Sequence, residues 1–160
     1  MTITYEKIQT VTCVSNQATL EFSVIPQTYT DLVFVSDGKS QAAGGGSLFL
    51  RVNGDNTAGN YYGLYTFSSG SSIGVGTTSN GMAVSRHSTT NGMGWAHIFN
   101  YSNNTTFKSS FSRGGGNNIS IILNSTWNST APITSIIAYF ESGPGFAPGF
   151  TATLYGIKAI

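Results

Sequence analysis

Ala18-Thr19-Leu20-Glu21-Phe22-Ser23-Val24 alternates apolar and polar residues without a break, the apolar ones at even positions. In an extended chain successive side chains point to opposite faces, so this pattern places one face in a core and leaves the other outside. The reading extends outward along the chain. Ser47 to Asn53 alternates again, with Leu48, Leu50 and Val52 opposite Phe49 and Arg51. Asp31 to Ser36 differs, because Leu32-Val33-Phe34-Val35 is apolar on both faces. That is a strand covered on both sides, or one whose outer face meets a partner.

Further strand-like runs follow. Asn60 to Phe67 is rich in aromatics, and Gly94 to Tyr101 carries Trp95, His97, Phe99 and Tyr101 on one parity. Thr105 to Phe111, Ile119 to Leu123, Ile133 to Glu141 and Phe150 to Lys158 complete the set, with Pro144, Gly145, Pro148 and Gly149 before the last. No window keeps a helical period, and Gly, Ser, Thr and Asn punctuate every segment. Asn53-Gly54-Asp55-Asn56 reads as a hairpin turn, since Asn-Gly tolerates positive φ. The segment from Ser68 to Gly94 is dense in Gly, Ser, Thr and Asn and reads as a long loop with one short strand, Met82-Ala83-Val84-Ser85. The expected fold is all-β: a single β-sandwich domain over 1–160, jelly-roll-like, with about eight to ten antiparallel strands and a loop-rich segment at about 68–94.

Composition narrows the function. A chain of 160 residues with 39% hydrophobic content fits one domain with a core of its own. Charged residues make up 8%, far below the roughly 25% of ordinary soluble domains. A surface of Ser, Thr, Asn, Gln and Gly can be buried against another protein without stripping water from ions. Two readings share that composition: a protein with large permanent contacts and an extracellular β-domain. The cations Lys7, Lys39, Arg51, Arg86, Lys108, Arg113 and Lys158 are scattered, so nucleic-acid binding is not expected. No stretch reaches the roughly 18 apolar residues of a membrane-spanning helix, and the start Met1-Thr2-Ile3-Thr4-Tyr5-Glu6-Lys7 lacks the apolar run of a signal peptide. Synthesis in a cytoplasm is the expectation, and the six Asn-X-Ser/Thr triplets then read as a by-product of composition. Cys13, the one cysteine, sits in the apolar run Val11-Thr12-Cys13-Val14 and is expected to be a small buried hydrophobe.

Candidates for chemistry are sparse. The six carboxylates Glu6, Glu21, Asp31, Asp37, Asp55 and Glu141 show no pairing along the sequence, whereas glycoside hydrolysis needs two that face each other. Two histidines, His87 and His97, fall short of the three ligands of a zinc site. Gly44-Gly45-Gly46-Ser47 and Gly114-Gly115-Gly116 lack the Lys-Ser/Thr and helix of a phosphate loop. The expectation is a chain that is not an enzyme and uses no cofactor or metal. His97 shares a face with Trp95 and Phe99 and reads as a hydrogen-bonded core or interface residue. His87 lies beside Arg86 in the long segment, exposed to solvent or touching a partner. Tyr61, Tyr62, Arg86, His87, Trp95 and Tyr101 are the candidate interface or glycan contacts, because aromatics fill cores, stack on sugars and dominate protein interfaces.

Three stretches together resemble a known family. They are Phe22-Ser23-Val24-Ile25-Pro26-Gln27-Thr28-Tyr29-Thr30-Asp31-Leu32-Val33-Phe34-Val35; then Leu48-Phe49-Leu50-Arg51-Val52-Asn53-Gly54-Asp55 with Asn60-Tyr61-Tyr62; and the ending Phe150-Thr151-Ala152-Thr153-Leu154-Tyr155-Gly156-Ile157-Lys158. In order, and over nearly the whole chain, they resemble small virion proteins of tailed bacteriophages, especially phages of cyanobacteria and other aquatic bacteria. The resemblance implies a β-sandwich virion component without enzymatic activity, of a kind described as capsid decoration, head fibre or tail protein. It does not cover Ser68 to Gly94. With the low charge, it leads to the expectation of a capsid decoration or cement protein in the virion, bound to the major capsid protein or tail proteins. Such a protein would be a homo-oligomer, and a trimer suits the threefold axes of a capsid. The alternative is a tail-fibre adhesin domain binding a host-surface glycan or receptor.

Overall fold

The computed structural model describes residues 3–41, 45–116, 118–141, 143 and 145–159. Met1-Thr2, Gly44 of the first glycine run and Pro144 of the last connection lie outside the described residues. The described residues form twelve strands: β1 (Ile3–Thr12), β2 (Thr19–Phe22), β3 (Asp31–Gly38), β4 (Gly46–Val52), β5 (Tyr61–Ser69), β6 (Ser72–Thr78), β7 (Met82–His87), β8 (Gly92–Phe99), β9 (Lys108–Gly116), β10 (Ile119–Trp127), β11 (Ile136–Phe140) and β12 (Thr151–Ala159). Every pairing is antiparallel. One sheet has eight strands in the order β1-β12-β3-β8-β9-β10-β5-β6, and the other has four, β2-β11-β4-β7. The molecule is an all-β sandwich, as the alternation requires.

The deciding stretch behaves as read at its centre and not at its ends. Leu20 and Phe22 are buried, whereas Val24 is exposed with φ 54 and ends the run. Across the gap, Phe22 meets Phe34 edge-on at 5.8 Å. Leu32 and Phe34 face the main core with Leu48, Leu50, Val52, Ile136 and Leu154. Val33, on the other face of β3, is buried between Tyr155 and His97, its neighbours in register on β12 and β8.

A second apolar cluster holds Phe49, Ala83, Ile121 and Leu123. Phe49 and Ala83 have the parity opposite to Leu48, Leu50, Met82 and Val84, which belong to the main core. The small sheet is therefore buried on both faces near β7, and the large sheet curls around that edge. Small residues on β8 and β9 make the close approach possible. A Cβ on Gly94 would stand 2.4 Å from Ser85 Oγ, and one on Gly114 would stand 2.6 Å from Ser85 Cβ.

The segment from Ser68 to Gly94 is not a loop. It contains the end of β5, all of β6 and β7, and the start of β8, which raises the strand count above eight to ten. Met82-Ala83-Val84-Ser85 does form a strand, extended to His87. β5 and β6 form a hairpin closed by Gly70-Ser71, with Gly70 at φ 59. Gly74 and Gly76 pair with Phe67 and Tyr65. Those rings lie across the glycines, so closely that a Cβ at either would meet them at 2.6 and 2.4 Å. Cross-strand aromatic cover of this kind supplies the packing that a glycine strand lacks on its own.

Candidate functional site

Three of the six candidate contacts are buried and cannot meet a partner. Tyr61 is 1% exposed. Its hydroxyl accepts from Val52 N at 3.1 Å and donates to Asp55 O at 3.0 Å, and burial pushes its pKa up to about 12. Tyr101 does not continue the β8 strand. Asn100, at φ 48, turns the chain inward, and the Tyr101 hydroxyl donates to Pro26 O within the core. His87 is fully buried rather than solvent-exposed. β7 directs Arg86 outward and His87 inward, where its ring packs on Phe140 and Phe150 at 5.7 and 5.2 Å. Nδ1–H donates to Gly38 O at 3.1 Å and Nε2 accepts from Ser36 Oγ at 3.2 Å, and burial holds its pKa below the ordinary value. This Ser–His pair is fully buried, and its imidazole donates to a backbone carbonyl rather than to a carboxylate, so it is a core element.

The Asn53-Gly54-Asp55-Asn56 turn is real but joins strands of different sheets rather than a hairpin. Asn53 and Gly54 both have positive φ, and Asp55 N donates to Val52 O at 2.9 Å. The Asp55 carboxylate accepts from Trp127 Nε1 at 2.7 Å, Asn60 Nδ2 at 2.9 Å and Thr57 N at 2.9 Å. The Trp127 hydrogen bond is the main cause that holds its pKa at about 2. Its acceptor positions serve the fold.

Tyr62, Arg86 and Trp95 remain accessible, and Trp95 is central to the outer face of the large sheet. In register across that face stand Val35, Trp95, Arg113 and Ile122, and in the next row Tyr155, Val33, His97, Phe111, Asn124 and Leu64. The Arg113 guanidinium lies 5.4 Å from the Trp95 ring centroid, and Phe111 meets Trp95 edge-on at 6.4 Å. His97 stacks on Phe99 at 4.3 Å. Its Nε2 is 2.9 Å from Asp31 Oδ2, while Asp31 Oδ1 accepts from Asn100 N at 2.7 Å. A groove of about 620 Å³ runs beside Val35, Met93, Trp95, Arg113 and Ile122. A second, of about 630 Å³, lies beside Tyr62, Leu64, Thr77 and Asn124.

The Asp31–His97 pair is not legible along the sequence, because 66 residues separate its members. Their shared orientation comes from β3 and β8 being neighbours. The arrangement provides a carboxylate-oriented imidazole, a guanidinium and an aromatic plane on one open face, which is suited to holding polar, ring-shaped or anionic groups. Among the described residues no three His, Cys, Asp or Glu side chains gather, and no helix is long and apolar enough to cross a membrane. Cys13 is buried, as its run suggests, and burial raises its thiol pKa.

No protein-family model matches the chain, and no curated protein matches it. Solved structures do. The chain is similar to the alginate lyase Aly36B at 13% identity and TM-score 0.38, covering 94% of this chain and 80% of that one. It is similar to a protein of unknown function from Shewanella oneidensis MR-1 at 9% identity and TM-score 0.27, covering 99% and 80%. It is also similar to the polysaccharide lyase family 18 protein aly-SJ02 at 11% identity and TM-score 0.28, covering 98% and 92%. The expectation that the chain is not an enzyme is overturned here, since two of these three are polysaccharide lyases, and it is withdrawn. The scores carry no residue role, substrate or reaction across to this chain.

Proposed function

We propose that this protein is a structural component of a tailed-phage virion, set on the capsid surface as a decoration or cement subunit against the major capsid protein or tail proteins. The observation that carries the reading is the outer face of β10, β5 and β6. Its outward positions include Tyr62, Leu64, Ile73, Val75 and Ile122, each more than half exposed, and none of them is charged. Such a face loses apolar exposure and strips no ions when a neighbour covers it. The low charge of the whole chain and the three family-like stretches support the same reading. On a shell, repetition turns modest contacts into a firm hold. Mass spectrometry and cryo-electron microscopy of purified particles that encode the chain test it. The expected result is density for the sandwich at repeated surface positions, and a particle lacking the protein ends the proposal.

The Trp95 groove favours a second reading, a tail-fibre adhesin for a host-surface glycan. Trp95 offers a ring for stacking, Arg113 offers donors to sugar hydroxyls or carboxylates, and the oriented His97 lies alongside. The expected outcome on a glycan array is saturable binding that falls at least tenfold in Trp95→Ala with the melting temperature unchanged. Equal binding by the variant removes this reading.

A further inference from the structure

We infer that β6 is a self-association edge, through which two copies of this chain join their large sheets across a twofold axis. β6 ends the eight-stranded sheet. Its hairpin with β5 has a two-residue turn, which makes Ser69 and Ser72 a hydrogen-bonded pair. Bonded pairs alternate along an antiparallel ladder, so Ser72, Gly74, Gly76 and Thr78 direct their backbone groups to β5. Ile73, Val75 and Thr77 turn their N–H and C=O groups away from the sheet.

Open edges are normally blocked, and the other edges of this molecule are. β1 carries Glu6 and Lys7 with a bulge between Lys7 and Gln9. β2 has four residues, one of them Glu21. β7 carries Arg86, has an irregular register against β4 and packs against the large sheet. β6 has no charge, no proline and no bulge, and its Ile73 and Val75 are 81% and 75% exposed.

The occupant follows from the sequence of the strand. Ser72-Ile73-Gly74-Val75-Gly76-Thr77-Thr78 is nearly symmetric about Val75. In an antiparallel pair centred there, Val75 meets Val75 of the partner subunit, Gly74 meets Gly76 of the partner subunit and Ile73 meets Thr77 of the partner subunit. The three outward-directed residues then form bonded pairs, giving about six intermolecular hydrogen bonds. Small or β-branched side chains meet throughout with no like charges opposed. An arrangement of this kind is isologous and closes at two, in place of the trimer expected from sequence. It stands apart from the virion reading, since it concerns the isolated chain.

The full chain is measured by light scattering after size exclusion from about 1 to 100 μM, with hydrogen exchange followed at single residues. The expected result is a dimer at the upper concentrations, with amides of Ile73, Val75 and Thr77 slowed in step with dimer formation. Val75→Lys places two cations on the axis and weakens the dimer at least tenfold. Thr77→Pro removes one outward N–H and acts in the same direction. Circular dichroism and melting temperature of both variants match the parent. A monomer at 100 μM, a trimer, a dimer indifferent to both variants, or protection at another edge overturns the inference. If Val75→Lys alone fails to fold, Thr77→Pro and the exchange pattern still decide it.

Discussion

Asp55→Ala is expected to lower the stability of the fold by about 3 kcal/mol, equivalent to roughly 6–12 °C in melting temperature for a domain of this size. The carboxylate gathers three donors: Trp127 Nε1, Asn60 Nδ2 and Thr57 N. Through Trp127 it ties the β4–β5 turn to the end of β10. Hydrogen bonds to a charged acceptor contribute about 1.5–3 kcal/mol each, and removing this one leaves the indole N–H of the buried Trp127 without its partner. Asp55→Asn keeps an acceptor and loses the charge, so about half the effect is expected. Urea denaturation of the three proteins at pH 7 provides the comparison. A loss below about 1 kcal/mol for the alanine variant shows that the turn is not anchored through this carboxylate.

The same residue shapes the acid response, together with His87. The His87 pKa lies below its ordinary 6.5 because of burial. Below about that pH the unfolded chain binds a proton that the folded chain resists, and stability begins to fall. Asp55 follows at lower pH. Its folded pKa of about 2 lies under the ordinary 3.8. Its contribution is whole above pH 3.8 and is lost as pH falls toward 2. In Asp55→Ala that second decline disappears, while the first persists.

Gly114→Ala is expected to destabilise by about 3 kcal/mol although it adds a single methyl group. The backbone conformation is not the obstacle, since Gly114 does not have positive φ. Space is. The new Cβ would stand 2.3 Å from Met93 O and 2.6 Å from Ser85 Cβ. One contact is backbone of the neighbouring strand, and the other is the base of a short side chain on β7. Neither moves without shifting β7 against β8 and β9. Thermal and urea denaturation measure the loss. A variant as stable as the parent shows that β7 does not sit on β9 at this distance.

The virion reading and the glycan reading use different parts of one surface. Its β10–β5–β6 end is uncharged and carries the exposed Tyr62, Leu64, Ile73, Val75 and Ile122, and the His97–Asp31 pair and Arg113 lie toward β3, β8 and β9. A neighbour covering the first part reaches the Trp95 groove at Ile122, whereas Val75 stands clear of that groove. Variants at Trp95 and Val75 therefore separate sugar binding from association.

The sequence alone settled the class of fold, because period-two alternation admits one geometry. Leu20, Phe22, Leu48, Leu50 and Val52 are buried where the pattern puts them. It also located the Asn53-Gly54 turn and the Met82 strand, since those signals are local. What it hid depended on partners distant in the chain. β6 looked like loop because its packing comes from Phe67 and Tyr65 on β5. His87 looked exposed because its neighbour is Arg86, yet Ser36 and Gly38 receive its ring. Tyr61 and Tyr101 looked like contacts, and the core claimed both. Asp31 and His97 became a pair only when β3 and β8 lay side by side. Alternation fixes which side of a strand a residue takes, whereas only the order of strands in the sheets decides what stands opposite it.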